Sequence, residues 1–492
     1  MSSICSLLFL YLFLLDLFFT SSLGFPDHHF GSSETDLSSE EQAERLERLI
    51  DFYRKDDVNI FKGSSSININ DSRRVGKKSP LPAGSGPYIE FLGNHVGSYP
   101  IKSSISARMF YFFFESRGNK NDPVVIWLGG WPGCSSDLSL FYGNGPFHVG
   151  KGLSLKWNHF GWNKVSNIIF VDQPTGTGFS SSPDVRDIRH NETGVSNDLY
   201  NFLQKFFDEH PTLKENEFFI TGESYGGHYI PALASRIHQG NKANEGIHIN
   251  LKGFAIGNGF TNLDIQLPAT IEYALDKTLI EKKEQHKIWE MIQKCKSSIE
   301  KCSLSGDKSN CFKIIINCGG VVHKILEIAG NINFFNIAKT CVGKYCYDFT
   351  SVEKLLKDQL VKEALHVGVQ FAACNPTVFM AMLGDWFENL DVGIPDLLKD
   401  GIRVLIYVGE QDLICNWVGN KRWVHEMKWY GKENFAKTPM SNYFVDGKKV
   451  GKVKNYGPLS LLKVFKAGHM VPMDRPKVAL HMIKNWMEEN FP

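Results

Sequence analysis

The chain carries no excess charge of either sign. Its 492 residues hold 54 Lys and Arg against 53 Asp and Glu, a formal net charge of +1. That balance removes the electrostatic argument for a nucleic-acid partner or an acidic membrane face. There is no CxxC pair and no HExxH string, so the familiar spacings of zinc sites are missing and no metal is expected. No repeat period recurs, which argues against a solenoid or a propeller. Past the first two dozen residues no stretch is long and apolar enough to span a bilayer. What is there reads as globular: 42% of residues are hydrophobic and 22% charged, in a length that suits two or three domains or one large α/β domain with an insertion.

The start of the chain differs. Leu7 to Leu15 is almost wholly apolar, Asp16 interrupts it, and Thr20, Ser21, Ser22 and Gly24 follow. The run is too short to cross a bilayer and reads as a cleaved secretory signal over residues 1–24. No Lys or Arg precedes it, so an uncleaved anchor is the alternative. Residues 25–80 are polar. They contain an amphipathic helical pattern from Glu40 to Tyr53, then Ser64-Ser65-Ser66, Arg73-Arg74 and Lys77-Lys78. This segment reads as a candidate propeptide with an exposed, cuttable linker, or as a plain disordered tail.

Secretion implies an oxidising compartment, and the cysteines agree. Of ten, Cys5 leaves with the signal, so nine remain and at least one is unpaired. Six of these lie between residues 295 and 346, a density that staples a small local segment. Asn70 and Asn191 begin glycosylation sequons, whereas Asn375 is followed by Pro376 and does not.

From about residue 88 buried strands and helices alternate. Strands are expected at Arg108–Glu115, Val124–Leu128, Asn167–Val171, Glu217–Thr221, Leu251–Ile256, Val404–Val408 and Leu461–Phe465, and helices at Val195–Glu209 and Tyr229–His238. This is an α/β pattern with a mostly parallel central sheet. Between about 265 and 390 the chain turns helical and cysteine-rich, an insertion over the sheet.

Gly222-Glu223-Ser224-Tyr225-Gly226 matches G-x-S-x-G. The string alone is weak. Here a buried strand runs into it and a helix runs out, the setting that holds a nucleophilic Ser on a tight turn. A serine nucleophile needs a base, and the base an orienting carboxylate, in the chain order Ser, acid, His. Asp412 follows a late strand, and His469 lies in a loop after the strand LLKVF. Asp474 competes with Asp412 but stands only five residues past His469. His425 lies in a Trp-rich amphipathic helix, His28 and His29 in the segment expected to be removed, and His228 on the helix after the elbow. None of these suits the base.

These strings resemble the serine carboxypeptidase family, closest to the plant members called carboxypeptidase III. RMFYFFFESR, VVIWL, PGCSS, FVDQPTGTGFS, GESYGGHYIPA, KGFAIGNG, CYDF, DLICNWVGN and AGHMVPMDRP occur in the family's order from about residue 88 to the C-terminus. The resemblance implies an α/β-hydrolase fold with a cap insertion, a propeptide, and the secretory or vacuolar pathway. It puts Ser224, Asp412 and His469 at the nucleophile, acid and base. It implies the pairs Cys134–Cys374, Cys295–Cys318, Cys302–Cys311 and Cys341–Cys346, and leaves Cys415 a free thiol beside the substrate pocket, with Met470 close by. It implies no metal or organic cofactor. The family contains both monomers and dimers, so a homodimer is one arrangement it allows.

The sequence also departs from the family. Where the family reads W-L-N/T-G-G-P-G-C-S-S, this chain has Trp127-Leu128-Gly129-Gly130-Trp131-Pro132-Gly133-Cys134-Ser135-Ser136. Gly129 replaces a polar residue whose Asn form bonds the substrate's C-terminal carboxylate. Gly143 replaces a Glu that pairs with the acid before the nucleophile, here Glu223. Two adjacent carboxyls raise one another's pKa, so one stays protonated and can donate. Trp131 replaces a glycine whose N–H, with that of Tyr225, forms the oxyanion hole. A bulky residue there is strained if the position needs φ > 0.

The expectation is therefore a serine-type carboxypeptidase acting on peptide C-termini, with Glu223 helping to hold the carboxylate. Two rivals stand beside it. One is an acyltransferase of the same fold, whose members usually carry Asp in place of Glu223. The other is a catalytically impaired, secreted binding protein.

Overall fold

The structure is a computed structural model that describes residues 94–491 apart from 151–152, 306–307, 344 and 366; the side chains of 303–312, 360 and 364 also lie outside it. The expected signal, propeptide, helix Glu40–Tyr53 and sequon at Asn70 fall outside the described residues.

Twelve strands are described: β1 (Asn94–Pro100), β2 (Arg108–Phe114), β3 (Val124–Leu128), β4 (Phe147–Val149), β5 (Leu155–Trp157), β6 (Asn167–Val171), β7 (Phe218–Glu223), β8 (Leu251–Gly257), β9 (Arg403–Gly409), β10 (Ser441–Val445), β11 (Lys448–Tyr456) and β12 (Leu459–Val464). Ten form one sheet in the order β1-β2-β6-β3-β7-β8-β9-β12-β11-β10, and β4 pairs with β5 apart from it. The run from β6 through β12 is parallel, and antiparallel strands close both edges. The fold is that of an α/β hydrolase.

The central strands are mostly apolar and buried at nearly every position because both faces of the sheet are covered. Along β2, Met109, Tyr111 and Phe113 enter one core, while Phe110, Phe112 and Phe114 enter the other. The two-residue pleat sorts them. Helices α1 (Glu192–Glu209) and α2 (Gly226–Lys242) cover the first face through residues such as Phe202, Phe206, Leu233 and Ile237. Phe206 is fully buried against Tyr111, Phe113 and Phe202. Truncating it to Ala would cost about 3–5 kcal/mol.

Strands β8 and β9 are parallel neighbours, yet residues 258–402 separate them in the chain. Helix α3 (Leu263–Asp276) begins this excursion and packs on α6 (Trp417–Glu426), while α4 (Lys282–Ser305) and α5 (Lys308–Ala329) pair with each other. The expected insertion boundary at about 265 thus falls inside α3. Cys295–Cys318 ties α4 to α5, Cys341–Cys346 closes a short loop, and Cys134–Cys374 joins the loop after β3 to the later part of the excursion. The expected Cys302–Cys311 pair involves Cys311, which lies outside the described side chains. Among the described residues no helix is long and apolar enough to cross a membrane.

Candidate active site

Because β7, β8, β9 and β12 run parallel, the loops after their C-terminal ends share one edge of the sheet. Ser224 leaves β7 with φ +60°, a left-handed conformation that L-residues avoid. This strained turn is the elbow expected from the motif, and it costs about 1–3 kcal/mol. The flanking glycines are steric necessities. A Cβ at Gly222 would lie 2.3 Å from Leu128 O, and one at Gly227 would lie 2.5 Å from Phe260 O. Ser224 N donates to Gly257 O at 3.0 Å, so the turn is stitched to the end of β8.

Asp412 follows β9 and is fully buried. Its Oδ2 accepts from His469 Nδ1 at 2.7 Å, Asn258 Nδ2 at 2.8 Å and Cys415 N at 3.2 Å; Oδ1 accepts from Ile414 N at 2.9 Å. Of the two acids, Asp412 is the one that meets His469 Nδ1; Asp474 bonds elsewhere. Burial alone would lower the His469 pKa, but the Asp412 carboxylate, with Glu223 and Asp474, carries it above its ordinary value. His469 Nε2 is buried and has no hydrogen-bond partner, and no described residue bonds Ser224 Oγ. Serine–histidine hydrogen bonds often close only around substrate.

Two other histidines weighed from the sequence have different surroundings. His228 is buried, stacks on Tyr225 at 4.3 Å and meets Phe260 O through Nδ1 at 2.6 Å. Burial pushes its pKa down to about 4, so it is neutral. His425 lies on α6, meets Lys421 O through Nδ1 and packs on Phe435.

Asn258 was not among the expected residues. It is fully buried with φ +41° directly after β8, accepts from Gly409 N at 2.9 Å and donates to Asp412. It bridges the end of β9 to the acid. The Gly-Asn-Gly string at the end of a buried strand was its only signal.

The loop after β3 forms the other wall. A Cβ on Gly130 would lie 3.0 Å from Ser224 Cβ, so this loop presses on the nucleophile. Trp131 does not have positive φ; Gly133 does, at +82°. The conditional strain at Trp131 therefore does not arise. The N–H groups of Trp131 and Tyr225 donate to no acceptor among the described residues. The Trp131 indole is half-buried and packs against Phe379 and Trp386, with ring centroids 6.0 and 5.1 Å away. Trp386 in turn packs on Tyr225 and Phe260. An aromatic shelf thus runs beside the elbow.

Gly129 N donates to Ser136 Oγ at 2.9 Å. A Cβ at Gly143 would lie 2.9 Å from Ser139 O, so a side chain there needs the loop to shift. Glu223 is buried, and no described residue hydrogen-bonds its carboxyl. Burial pushes its pKa up to about 7; Asp412 and Asp474 add to the rise and His469 opposes it. Burial thus gives most of the rise that a carboxyl at position 143 was expected to supply. Cys415 is a free, buried thiol whose pKa is raised by burial and by Asp412, which favours the protonated form. Met470 is half-buried next to His469. Asn191 is exposed and uses Oδ1 to accept from Gly194 N, capping α1. Asp412, Cys415 and His469 bring donor atoms within 4.8 Å of one another. The Asp412 carboxylate in that group already accepts four hydrogen bonds, one of them from His469 Nδ1, so its oxygens are occupied by N–H donors.

Residues 87–489 match the family described as serine carboxypeptidase. The chain belongs to that family. It is therefore a hydrolase of the serine carboxypeptidase class. Serine carboxypeptidase 3 of Oryza sativa subsp. japonica is 57% identical over 409 residues, covering 83% of this chain and 81% of the relative. Serine carboxypeptidase 3 of Hordeum vulgare is 52% identical over 454 residues, 91% of this chain and 89% of the relative. A prohormone-processing carboxypeptidase of Saccharomyces cerevisiae has a similar solved structure. Its TM-score is 0.72 at 25% identity, covering 80% of this chain and 91% of that one.

Proposed function

We propose that this chain releases C-terminal residues from peptides with Ser224 as nucleophile, His469 as base and Asp412 as the orienting acid. The observation that carries the reading is the Asp412–His469 Nδ1 hydrogen bond beside a strained Ser224 elbow. Ser224 Oγ attacks the scissile carbonyl and passes its proton to His469 Nε2. Asp412 holds Nδ1–H and stabilises the imidazolium. The N–H groups of Trp131 and Tyr225 receive the developing oxyanion. A side chain does not change a backbone donor, so Trp131 serves as glycine would. The imidazolium then protonates the leaving amine, and water attacks the acyl-enzyme by the same route in reverse.

Below about pH 7 Glu223 is protonated and can donate to the substrate's carboxylate. Gly129 and Gly143 leave it to do so alone. A second reading follows from these two glycines: the triad cleaves ester or acyl bonds while free carboxylates are bound poorly. The segment within 258–402 would act as a cap, residues 25–80 as a propeptide, and the described disulfides support passage through the secretory pathway.

The test is release of the C-terminal amino acid from a blocked dipeptide between about pH 4 and 8, where carboxyl and His groups titrate. Ser224-dependent release, strongest on the acid side, is expected. Cleavage of esters without peptide release selects the second reading. Silence on both from folded protein refutes the triad assignment.

A further inference from the structure

Asp474, the acid that does not pair with His469 Nδ1, is nonetheless built into the site. Its side chain is 2% exposed and uses both oxygens. Oδ2 accepts from Gly468 N at 2.7 Å and from Asn336 Nδ2 at 2.9 Å. Oδ1 accepts from Lys339 Nζ at 2.5 Å. Gly468 directly precedes His469, so Asp474 grips the histidine loop from below its turn.

Asn336 and Lys339 belong to residues 333–339, which follow α5 in the long excursion between β8 and β9. The same segment touches both catalytic loops. Phe335 O accepts from His469 N at 2.6 Å, and the Phe335 ring lies 4.9 Å from the imidazole. Phe334 O accepts from Leu413 N at 3.1 Å, and Ile337 N donates to Gln411 O at 2.9 Å. The loops also meet directly, Gln411 N on Ala467 O at 2.8 Å. The fit leaves no slack: a Cβ at Gly468 would stand 2.2 Å from Phe335 O.

We propose that Asp474, neutralised by Lys339 and bonded to Asn336, is a positioning residue that fixes the His469 loop against this segment and so sets the imidazole for proton transfer. This rests on the assignment of His469 as base. The buried carboxylate needs its partners, since a lone one would be too costly to desolvate. Its charge also reaches the imidazole. The charged groups that act on His469 are Asp412 of the acid turn, Glu223 of the elbow and Asp474 of its own loop, with the Cys415 thiol beside them; Lys339 and Tyr347 of the excursion face Asp474.

The test is the pH profile of kcat and KM for Asp474→Asn and Lys339→Gln, with folding checked by circular dichroism and thermal midpoint. Loss of the grip in Asp474→Asn should lower kcat by about 10- to 100-fold with KM little changed, as for a small misplacement of a catalytic group. Removing a negative charge should also move the acid limb to lower pH. Lys339→Gln keeps the carboxylate but strips its counter-charge, so its acid limb should move to higher pH. Lys339 is half-exposed, so this variant serves if Asp474→Asn does not fold. Opposite shifts support the proposal; profiles that coincide with wild type, or shift the same way, overturn it. If the wild type shows no Ser224-dependent hydrolysis, the functional reading fails separately. The proposal is then decided by 15N NMR of the His469 ring, whose titration should move down in Asp474→Asn and overturns the proposal if it does not.

Discussion

The two walls of the candidate site are built differently. On the side of β8, β9 and β12, the carboxylates of the acid and histidine loops are fully engaged, with only His469 Nε2 left open among the described residues: Asp412 accepts four hydrogen bonds, Asp474 three, and Asn258 ties the end of β9 to Asp412. On the side of the loop after β3, no described residue hydrogen-bonds the buried Glu223 carboxyl, Gly129 and Gly143 offer no side chains, and the Trp131 indole packs on Phe379 and Trp386. A satisfied network holds one geometry; an unsatisfied buried carboxyl waits for a ligand or for a proton. On the proposed reading, bond-breaking and substrate recognition are carried by different walls, so each can be tested without the other.

The comparison breaks most sharply at the nucleophile. Ser224→Ala should lower kcat by about a millionfold, read as peptide or ester turnover. Next comes the occupied wall: Asn258→Ala removes a donor to Asp412 and an acceptor for Gly409 N, and should lower kcat by about 10- to 100-fold while sparing KM. On the altered wall, Gly143→Glu should supply the missing carboxyl. Steady-state kinetics should show KM for free-carboxylate peptides falling by about tenfold, the worth of one hydrogen bond to a charged group. The alkaline limb should rise, since a second carboxyl keeps Glu223 protonated further. Unchanged kinetics would mean that Ser139 O keeps the new side chain out. Trp131→Gly should change kcat on small substrates by less than about threefold, because the N–H remains. Its effect should instead fall on substrates with large apolar side chains.

The smallest effect is on stability. Glu223 has a folded pKa of about 7, raised by burial, against about 4.3 for an unfolded Glu. The folded state therefore holds its proton longer. The contribution is full below about pH 4 and is lost as pH rises through about 7. Asp172, also pushed up to about 7 by burial, acts in the same direction. Buried His228, held neutral, acts the other way below about pH 6.5. Between pH 5 and 7.5 the Glu223→Gln variant should lose less of its thermal midpoint than wild type.

Much of the fold was legible. β2, β3, β6 and β7 are continuous apolar runs because the sheet is covered on both faces, and their bounds differ from expectation by no more than two residues. The edges were not legible. β1 reads NHVGSYP and becomes a strand only by pairing with β2. β11 carries four lysines, the kind of charge that protects an edge region but hides a strand pattern. Helix α2 begins at Gly226, three residues before the expected Tyr229, because the elbow turns straight into it. At the site, Ser224, Asp412 and His469 could be proposed from order and local context. Asn258, Asn336 and Lys339 could not, because their roles come from partners more than 130 residues away in the chain.

By itself the sequence determined the α/β alternation, the elbow and its glycines, and the family, since these rest on local sterics and on ordered strings of residues. It also exposed the substitutions at 129, 131 and 143. The tertiary structure alone decided which acid pairs with His469, that Trp131 sits without positive φ, and that burial raises the Glu223 pKa although Gly143 supplies no carboxyl. Each of those depends on burial and on neighbours brought from distant parts of the chain, and desolvation is a property of the packed site rather than of any residue in it.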